Sequence, residues 1–352
     1  MSGVHDLAAR AMHALEPEDA HGLTIRALKT GLGPRPSRAD DPVLATSLAG
    51  LILPNAIGLA AGFDKNAEAA NAMLRAGVGF VECGTVTPRP QAGNPKPRLF
   101  RLPADKAVIN RLGFNNEGLD AFAKRLSSRS RRGVVGANIG ANKDAADRIA
   151  DYVSGLRRLW GMCDYFTLNI SSPNTPGLRG LQTKAALEEL LGRVAEARAA
   201  LAATRDYPVF LKVAPDVADD EIEPIVETSL AHGLNGLIVG NTTLSRPASL
   251  RSPRQSQTGG LSGKPLFDLS TAVLGRFYQA AQGRLPLIGV GGVSSGAGAY
   301  AKIRAGAEAV QLYSALVYEG PGLVTRIKSD LAARLRAEGF TSVAQAVGTA
   351  HR

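Results

Sequence analysis

Residues 169–179 carry the densest polar chemistry of this chain. They read NISSPNTPGLR and follow the apolar stretch 165–168, which predicts a buried strand. Two side-chain amides, two serine hydroxyls and an arginine therefore fall in a loop at the carboxyl end of a strand. In barrels of parallel strands, active sites lie at these ends. An ordinary polar turn has a similar composition, so the residues at the other strand ends must decide what this loop does.

Amide and lysine side chains follow several other predicted strands. Asparagine offers a paired donor and acceptor. A small planar ligand with imide-like groups would suit the set Asn110, Asn169, Asn174, Asn241 and Thr242. Lys65 suits a carboxylate on that ligand, and Lys212 suits an anion that forms during a reaction, such as a reduced flavin ring. Each lysine could instead pair with a local carboxylate, because buried lysine is seldom unpaired.

Glycines near the ends of the last two predicted strands indicate a phosphate site. Gly291 and Gly292 follow the seventh strand, Tyr313 and Ser314 follow the eighth, and Gly263 is expected nearby. Backbone N–H groups at these two strand ends commonly bind phosphate in barrels, and glycine lets the backbone approach the ligand closely. The sequence thus predicts a ligand with a phosphate end and an amide-bound end.

The chain offers no plausible nucleophilic triad and no metal site. None of its five histidines follows a predicted strand, and no His/Cys/Asp/Glu group has metal-ligand spacing. Cys83 and Cys163 form no CxxC motif, so we expect reduced core thiols. Ser172 remains as the candidate base, and it needs a relay through water or a neighbouring hydroxyl.

Eight short apolar runs, alternating with Ala/Leu/Arg-rich stretches, must position these residues. They are 57–60, 80–83, 134–138, 165–169, 209–213, 236–239, 287–290 and 309–312. This rhythm predicts a parallel sheet closed on itself, an α/β fold of the (β/α)8 TIM barrel type. The proline-rich insert 85–130 is expected to pass over the barrel mouth, and the polar insert 245–258 is expected to act as a mobile lid.

Residues 1–36 have a different pattern, with two apolar helical faces separated by Glu16-Pro17-Glu18-Asp19. Two interpretations remain open, since the helical pair could cap the bottom of the barrel or rest on a bilayer surface. The expected division is therefore 1–36 as an amphipathic helical pair and 37–352 as the barrel.

The bulk composition excludes several classes of protein. The chain has 352 residues and is 45% hydrophobic, and we expect no membrane span because no run of about 18 apolar residues occurs. Its net charge of +10 allows anionic partners. Nucleic-acid binding is not favoured, because no basic patch is interleaved with aromatic residues.

Five motifs together resemble the dihydroorotate dehydrogenases. They are residues 110–116, 169–179, 240–243, 259–263 and 291–293. Two features are similar to class 2, the quinone-linked and membrane-associated form: Ser172 stands where class 1 enzymes carry cysteine, and the N-terminal helical pair resembles a quinone-access domain. Gly240, where threonine is frequent, and Leu112, where tyrosine or methionine is common, depart from the family pattern without touching the chemistry.

The resemblance implies an oxidoreductase of pyrimidine biosynthesis, which converts (S)-dihydroorotate to orotate in the fourth step toward UMP. It implies one FMN per chain and a membrane quinone as the final electron acceptor. Ser172 would take the proton from C5 of dihydroorotate, while C6 delivers hydride to N5 of FMN. Substrate contacts by resemblance are Lys65, Asn110, Arg111, Leu112, Gly113, Phe114, Asn169, Asn174, Asn241 and Thr242.

The cofactor and quinone contacts follow from the same resemblance. FMN contacts are Ala61, Gly62, Phe63, Asp64, Lys65, Thr85, Asn138, Asn169, Lys212, Gly240, Gly263, Gly292, Tyr313 and Ser314. The quinone tunnel would be lined by His21, Arg101 and Tyr313. The family also implies a monomer bound peripherally to the cytoplasmic face of the bacterial inner membrane, with residues 1–36 admitting quinone.

Three alternatives make different demands on the sequence. A tRNA dihydrouridine synthase would explain the basic charge, but it requires a catalytic cysteine and a basic C-terminal helical domain. A non-redox phosphate-binding barrel would need neither Lys212 nor four asparagines. A non-catalytic binding protein would have lost motif residues, and none is missing here.

Overall fold

A computed structural model of the chain describes residues 2–36, 39–202 and 205–351. The strands, in chain order, are β1 Thr46–Leu48, β2 Leu51–Leu53, β3 Ile57–Leu59, β4 Phe80–Val86, β5 Leu99–Leu102, β6 Ala107–Asn110, β7 Val134–Ile139, β8 Tyr165–Asn169, β9 Val209–Val213, β10 Gly236–Val239, β11 Gly260–Gly263, β12 Leu287–Val290 and β13 Ala309–Leu312. The helices are α1 Ser2–Ala11, α2 Pro17–Lys29, α3 Ala70–Arg75, α4 Gly118–Ser128, α5 Arg148–Leu159, α6 Lys184–Leu201, α7 Asp219–Ala231, α8 Phe267–Ala281, α9 Gly296–Arg304, α10 Ser314–Glu319, α11 Leu323–Ala337 and α12 Val343–Ala346.

Eight strands close into a barrel in the order β3-β4-β7-β8-β9-β10-β12-β13, and each pairs in parallel with its neighbours. These are the eight strands predicted from the apolar runs, with ends shifted by at most three residues. The predicted TIM barrel is therefore confirmed. Because all eight strands run the same way, their carboxyl ends meet at one mouth.

The opposite end of the barrel is closed by apolar packing. The antiparallel hairpin β1–β2 places Leu48 and Leu53 in one cluster with Phe80, Tyr165 and other aromatic and aliphatic side chains of the barrel interior. Gly136 on β7 makes room for this layer, since a Cβ there would overlap the Tyr165 ring. This end of the barrel is filled by apolar side chains, which leaves the mouth as the open end for a ligand.

A three-stranded antiparallel sheet, in the order β11-β6-β5, stands beside the mouth. The insert 85–130 supplies β5 and β6, and the segment after the sixth barrel strand supplies β11. Arg101, Val108 and Asn110 of this insert line the barrel mouth, which agrees with the predicted position of the insert, while the sheet itself was not predicted. In the segment 245–258, the Arg246 guanidinium donates to the carbonyls of Gln255, Gln257 and Gly259; its action as a lid stays a prediction.

The two predicted N-terminal helices are confirmed as α1 and α2, and they lie at the mouth. On α2, the His21 ring lies 5.4 Å from that of Phe63, a residue that follows β3. On α1, Asp6 accepts a hydrogen bond from the Gly322 backbone N–H. The interpretation in which the pair caps the bottom is wrong, because the β1–β2 hairpin holds that place. The proposed boundary at 36/37 adjoins residues 37–38, which lie outside the described part of the chain.

The outer helices bury one face each against the barrel. On α5 this face carries Ile149, Tyr152, Val153 and Leu156, the spacing of an amphipathic helix. Asp147 caps the start of α5 by accepting from the Ala150 N–H. Cys83 and Cys163 are buried free thiols, as predicted. Within residues 2–36, 39–202 and 205–351, no helix combines the length and apolar character that a membrane crossing requires.

Candidate active site

One continuous cavity of about 300 Å³ occupies the barrel mouth and extends beneath α1 and α2. Most of the predicted site residues line it: His21, Ala61, Gly62, Phe63, Lys65, Thr85, Arg101, Asn110, Leu112, Gly113, Phe114, Asn169, Ser172, Asn174, Lys212, Asn241, Thr242, Gly263, Gly292, Tyr313 and Ser314. The structure thus brings the residues predicted for substrate, cofactor and quinone into a single space.

Four predicted residues lie outside the cavity lining. Asp64 is buried below it and accepts from the backbone N–H groups of Glu68 and Ala69. Asn138 lies one layer beneath Asn169. Gly240 follows β10. The Arg111 guanidinium points toward Gln257, Thr258 and the Pro97 carbonyl. A direct ligand contact by any of the four stays a prediction.

The loop that follows β8 holds Ser172 in a fixed, buried position. The Asn174 N–H donates to the Ser172 hydroxyl oxygen at 3.3 Å, which marks this oxygen as an acceptor. Arg179 ties the loop down, because its guanidinium donates to the Ser171 carbonyl at 3.0 Å and to the Thr242 carbonyl at 3.1 Å. Beneath the loop, the Tyr152 hydroxyl donates to the Asn169 carbonyl at 2.8 Å. Ser172 therefore sits on a rigid support.

Side-chain hydrogen bonds run in one direction through the site from Glu82 to Asn241. Asn138 donates to Glu82 at 2.7 Å, Thr85 donates to Asn138 at 2.6 Å, and Asn169 donates to Thr85 at 2.8 Å. Ser171 then donates to Asn169 at 2.7 Å, and Asn241 donates to Ser171 at 2.7 Å. Because Glu82 is acceptor-only when ionised, it orients every amide along this chain.

Glu82 is the main site residue that sequence reasoning missed. It lies on β4, is fully buried, and accepts from Asn138, Gln311, Thr167, Tyr165 and Lys212. The Lys212 ammonium lies 3.5 Å from it. The alternative in which Lys212 pairs with a local carboxylate is therefore realised. The pairing distance is long, so Lys212, which lines the cavity, keeps donors for a ligand.

Lys65 occupies the other side of the cavity. Its ammonium donates to the Asn115 amide oxygen at 2.8 Å. Its pKa is lowered to about 8, chiefly by burial and to a smaller extent by the charge of Arg98, while Glu18 on α2 acts in the opposite direction. Arg98 itself holds Glu18 at 2.5 Å, which keeps the pKa of that carboxyl below its usual range. Near neutral pH Lys65 is cationic and is available to a carboxylate.

An amide wall completes the end of the cavity near Ser172. Asn174 donates to the Asn110 amide oxygen at 3.2 Å. Asn94, which was not predicted, donates to the backbone carbonyls of Arg111 and Asn174 at 2.9 and 3.2 Å. Two residues that line this cavity, Thr242 and Gln311, each have a buried side-chain oxygen with no hydrogen-bond partner among the described residues. Buried polar atoms normally find partners, so these two point to a bound polar ligand.

The far wall of the cavity is made of backbone at the ends of β12 and β13. Gly292 has φ +72°, and a Cβ there would lie 2.6 Å from the Phe267 Cα. Only glycine fits this position, because it packs against Phe267 at the start of α8. Ser314 donates to Ser262 at 2.8 Å and closes the wall beside Gly263. The glycine-rich end predicted from the sequence is present.

The part of the cavity beneath α2 is aromatic. His21, Phe63 and Tyr313 pack edge to face or tilted, with ring centroids 5.4 to 6.2 Å apart. Burial and nearby Lys65 lower the pKa of His21 to about 4. Arg101 donates to the carbonyls of Met12, His13 and Leu15, which anchors the turn between α1 and α2. This end suits an apolar ring with carbonyl groups.

Among the described residues, no cluster of three or more metal-ligating side chains occurs. The cavity brings together a buried hydroxyl acceptor, oriented amides, two lysines and a glycine wall. That set can bind a planar anionic substrate, accept a proton from it and hold a phosphorylated ring cofactor.

Comparison with known proteins identifies relatives of this chain. The sequence model described as "Dihydroorotate dehydrogenase" matches residues 43–335. Proteins named "Dihydroorotate dehydrogenase (quinone)" are 59% identical in Parvibaculum lavamentivorans, over 97% of each chain, and 55% identical in Rhodospirillum rubrum, over 100% of this chain and 96% of the relative.

A solved structure has the same architecture. The DHODH of Eimeria tenella, crystallised in complex with ferulenol, superposes with a TM-score of 0.92 at 40% identity and covers 96% of each chain. Its ligand-free form gives the same TM-score at 41% identity. The family match, the near full-length relatives and the superposed barrel together show that this chain belongs to the dihydroorotate dehydrogenase family.

Proposed function

We propose a residue-level assignment for this chain, which oxidises dihydroorotate to orotate with a flavin and a quinone as co-substrate. Ser172 is the catalytic base, FMN is the flavin, and α1 and α2 admit a membrane quinone. The observation that carries the proposal is the single cavity, which joins the Ser172 loop, the glycine wall and the aromatic end beneath α2.

Ser172 is placed to take a proton from the substrate. Its oxygen is buried and accepts a backbone hydrogen bond. The four asparagines bind the amide and imide groups of the dihydropyrimidine ring, and Lys65 binds its carboxylate. Asn169 and Asn241 are held by the chain of hydrogen bonds from Glu82, so the ring meets donors and acceptors already in position. Such preorganisation lowers the cost of reaching the transition state.

The residues at the barrel mouth fit FMN. Gly292, Gly263 and the start of α10 form a wall where a phosphate can meet backbone N–H groups. Lys212 and Gln311 line the cavity where a polar ring would lie, and the Gln311 side-chain oxygen has no hydrogen-bond partner among the described residues. When bound, the flavin accepts hydride from the substrate. The lysine places positive charge beside that ring, while Glu82 holds the ammonium at the cavity floor.

The helical pair fits a role at a membrane surface. Large apolar side chains are exposed along it at Val4, Leu7, Leu15, Leu23 and Leu32, with Val4 73% and Leu7 67% exposed. Basic residues such as Arg10, Arg26 and Lys29 stand among them, and this combination is typical of helices that lie in a bilayer interface. We therefore assign 1–36 to quinone access and 37–352 to FMN-dependent catalysis, in a monomer held at the cytoplasmic face of the inner membrane.

Anaerobic flavin absorbance tests the proposal. Dihydroorotate is added to the purified protein, and a soluble quinone follows. Bleaching and then recovery of the flavin band supports both half-reactions. Bleaching that quinone cannot reverse would keep the substrate and reject the acceptor. A flavin that never bleaches would reject the substrate, and extraction of a flavin other than FMN would reject the cofactor.

A further inference from the structure

A buried lysine with no ion-pair partner lies behind the glycine wall. Lys302 on α9 is fully buried, and within residues 2–36, 39–202 and 205–351 no carboxylate forms a salt bridge with it. Its ammonium donates to the Ser270 hydroxyl at 2.8 Å and to the Thr271 hydroxyl at 3.0 Å. It also lies 5.2 Å from the centroid of the Phe267 ring. A buried charge without a counter-ion is costly, so this one calls for an explanation.

The surroundings of Lys302 disfavour its charged form. Burial lowers its pKa to about 7, and only the exposed Asp268 opposes this effect. The two other buried lysines among the described residues each have a carboxylate partner: Lys212 pairs with Glu82, and Lys328 pairs with Asp40 and donates to the Gly77 carbonyl at 2.7 Å. Lys302 therefore differs from Lys328 in having neutral partners only.

Lys302 is connected to the cavity by two hydrogen bonds. Its partner Ser270 shares its one hydroxyl proton between the Gly291 carbonyl at 3.1 Å and the Phe267 carbonyl at 3.0 Å. Gly291 lines the cavity next to Gly292. Phe267, whose ring faces the ammonium, is the residue that crowds Gly292. The lysine thus stands directly behind the backbone that would meet a phosphate.

We propose that Lys302 is a positioning residue for the cofactor, whose buried positive charge balances the phosphate of FMN across the Gly291–Gly292 backbone. This inference rests on the proposed function, since it requires a phosphate at that wall. A phosphate dianion supplies the missing counter-charge, and Ser270 transmits the lysine's position to the Gly291 carbonyl. Interactions between charges in a protein interior are weakly screened, so the lysine acts without direct contact.

The test compares FMN with riboflavin, which has the same ring system and no phosphate. Full-length protein is stripped of flavin and titrated with each compound by fluorescence. Lys302→Met should weaken FMN binding by about 10- to 100-fold, the size expected for one charge pair a few ångströms apart at intermediate dielectric. Riboflavin binding should change less than about twofold, because its ring contacts are untouched. Lys328→Met is the matched control, and it should leave the FMN-to-riboflavin ratio unchanged.

Equal weakening of both flavins in Lys302→Met, or no weakening of FMN, would overturn the proposal. If the unsubstituted protein itself binds FMN and riboflavin equally, the phosphate site of the proposed function fails, and this inference fails with it. Ser270→Ala keeps the lysine and removes its link to Gly291, which covers the case in which Lys302→Met does not fold. It should weaken FMN selectively by about 3- to 10-fold, as loss of one hydrogen bond implies; unchanged FMN affinity would overturn the proposal.

Discussion

The buried Glu82–Lys212 pair should control the stability of the barrel. It should also control which atoms of the asparagine side chains donate and which accept hydrogen bonds. The perturbation is a cycle of three variants: Glu82→Gln, Lys212→Met and the double variant. Breaking a buried pair on one side costs about 3–5 kcal/mol, because the remaining charge stays buried without its partner. The Lys212→Met loss should fall at the low end, since four other donors still bind Glu82. The Glu82→Gln loss should fall at the high end, since Lys212 has no other carboxylate partner among the described residues.

The double variant leaves no buried charge at this place. Its loss of unfolding free energy should therefore be smaller than the sum of the single losses, by about 2–3 kcal/mol. Urea unfolding of the flavin-free protein, followed by far-UV circular dichroism, measures all four free energies, because a bound flavin would add its own stabilisation. The exposed pair Arg89–Asp144, with side chains 62% and 75% exposed, is the control; its cycle should give at most about 1 kcal/mol.

A loss of unfolding free energy in the double variant that equals the sum of the two single losses within about 0.5 kcal/mol would refute the reasoning. Such a result would mean that Glu82 and Lys212 do not interact in the folded protein. The same variants test the direction of the side-chain hydrogen bonds that run from Glu82 to Asn241. Glutamine at position 82 can donate as well as accept, so Asn138 is no longer forced to donate to it. Glu82→Gln should therefore raise the KM for dihydroorotate more than Lys212→Met does, as steady-state rates will show.

Three further predictions concern the reaction. Ser172→Ala should keep flavin bound and slow its reduction by dihydroorotate about 100- to 10,000-fold in stopped-flow absorbance; an unchanged rate would mean that another group takes the proton. A chain that begins at Asp40 should keep flavin reduction at saturating dihydroorotate and lose quinone turnover, and full turnover would remove α1 and α2 from the quinone path. Because the pKa of Lys65 is about 8, the lysine loses its charge above that pH; the KM for dihydroorotate should rise through about pH 8, and Lys65→Met should abolish this dependence.

The barrel could be predicted from the sequence because its strands are buried on both faces. A strand such as β9 then appears as a continuous apolar run with a polar residue near its end, and the eight repeats reinforce one another. The strands β5, β6 and β11 were missed for the opposite reason. They are short, they form an antiparallel sheet beside the mouth, and β11 is the glycine-rich stretch Gly260–Gly263. Their pairing depends on contacts between distant segments, which no local pattern contains.

The site was predictable in its residue types and not in its connections. Asparagines and lysines at strand ends indicate a ligand, because burying their polar groups without hydrogen-bond partners is costly. Glu82 lies inside the run Phe80–Val86 and has no local partner, since its donors come from β7, β8, β9 and β13. The direction of the Arg111 side chain could not be predicted for the same reason, because Gln257 and Thr258 are distant in sequence and become its neighbours only in the folded chain.

The helical pair affects the charges in the cavity, in addition to its proposed contact with a membrane surface. Glu18 on α2 raises the pKa of Lys65, while Lys65 lowers that of His21 on the same helix. The bidentate contact of Glu18 with Arg98, the residue before β5, fixes α2 at this place, so these charges keep their spacing. His21 is neutral at physiological pH, and Lys65 is cationic there. The neutral apolar end proposed for quinone and the cationic end proposed for a carboxylate thus depend on a single group of charges, and neither end would keep its character if α2 moved away.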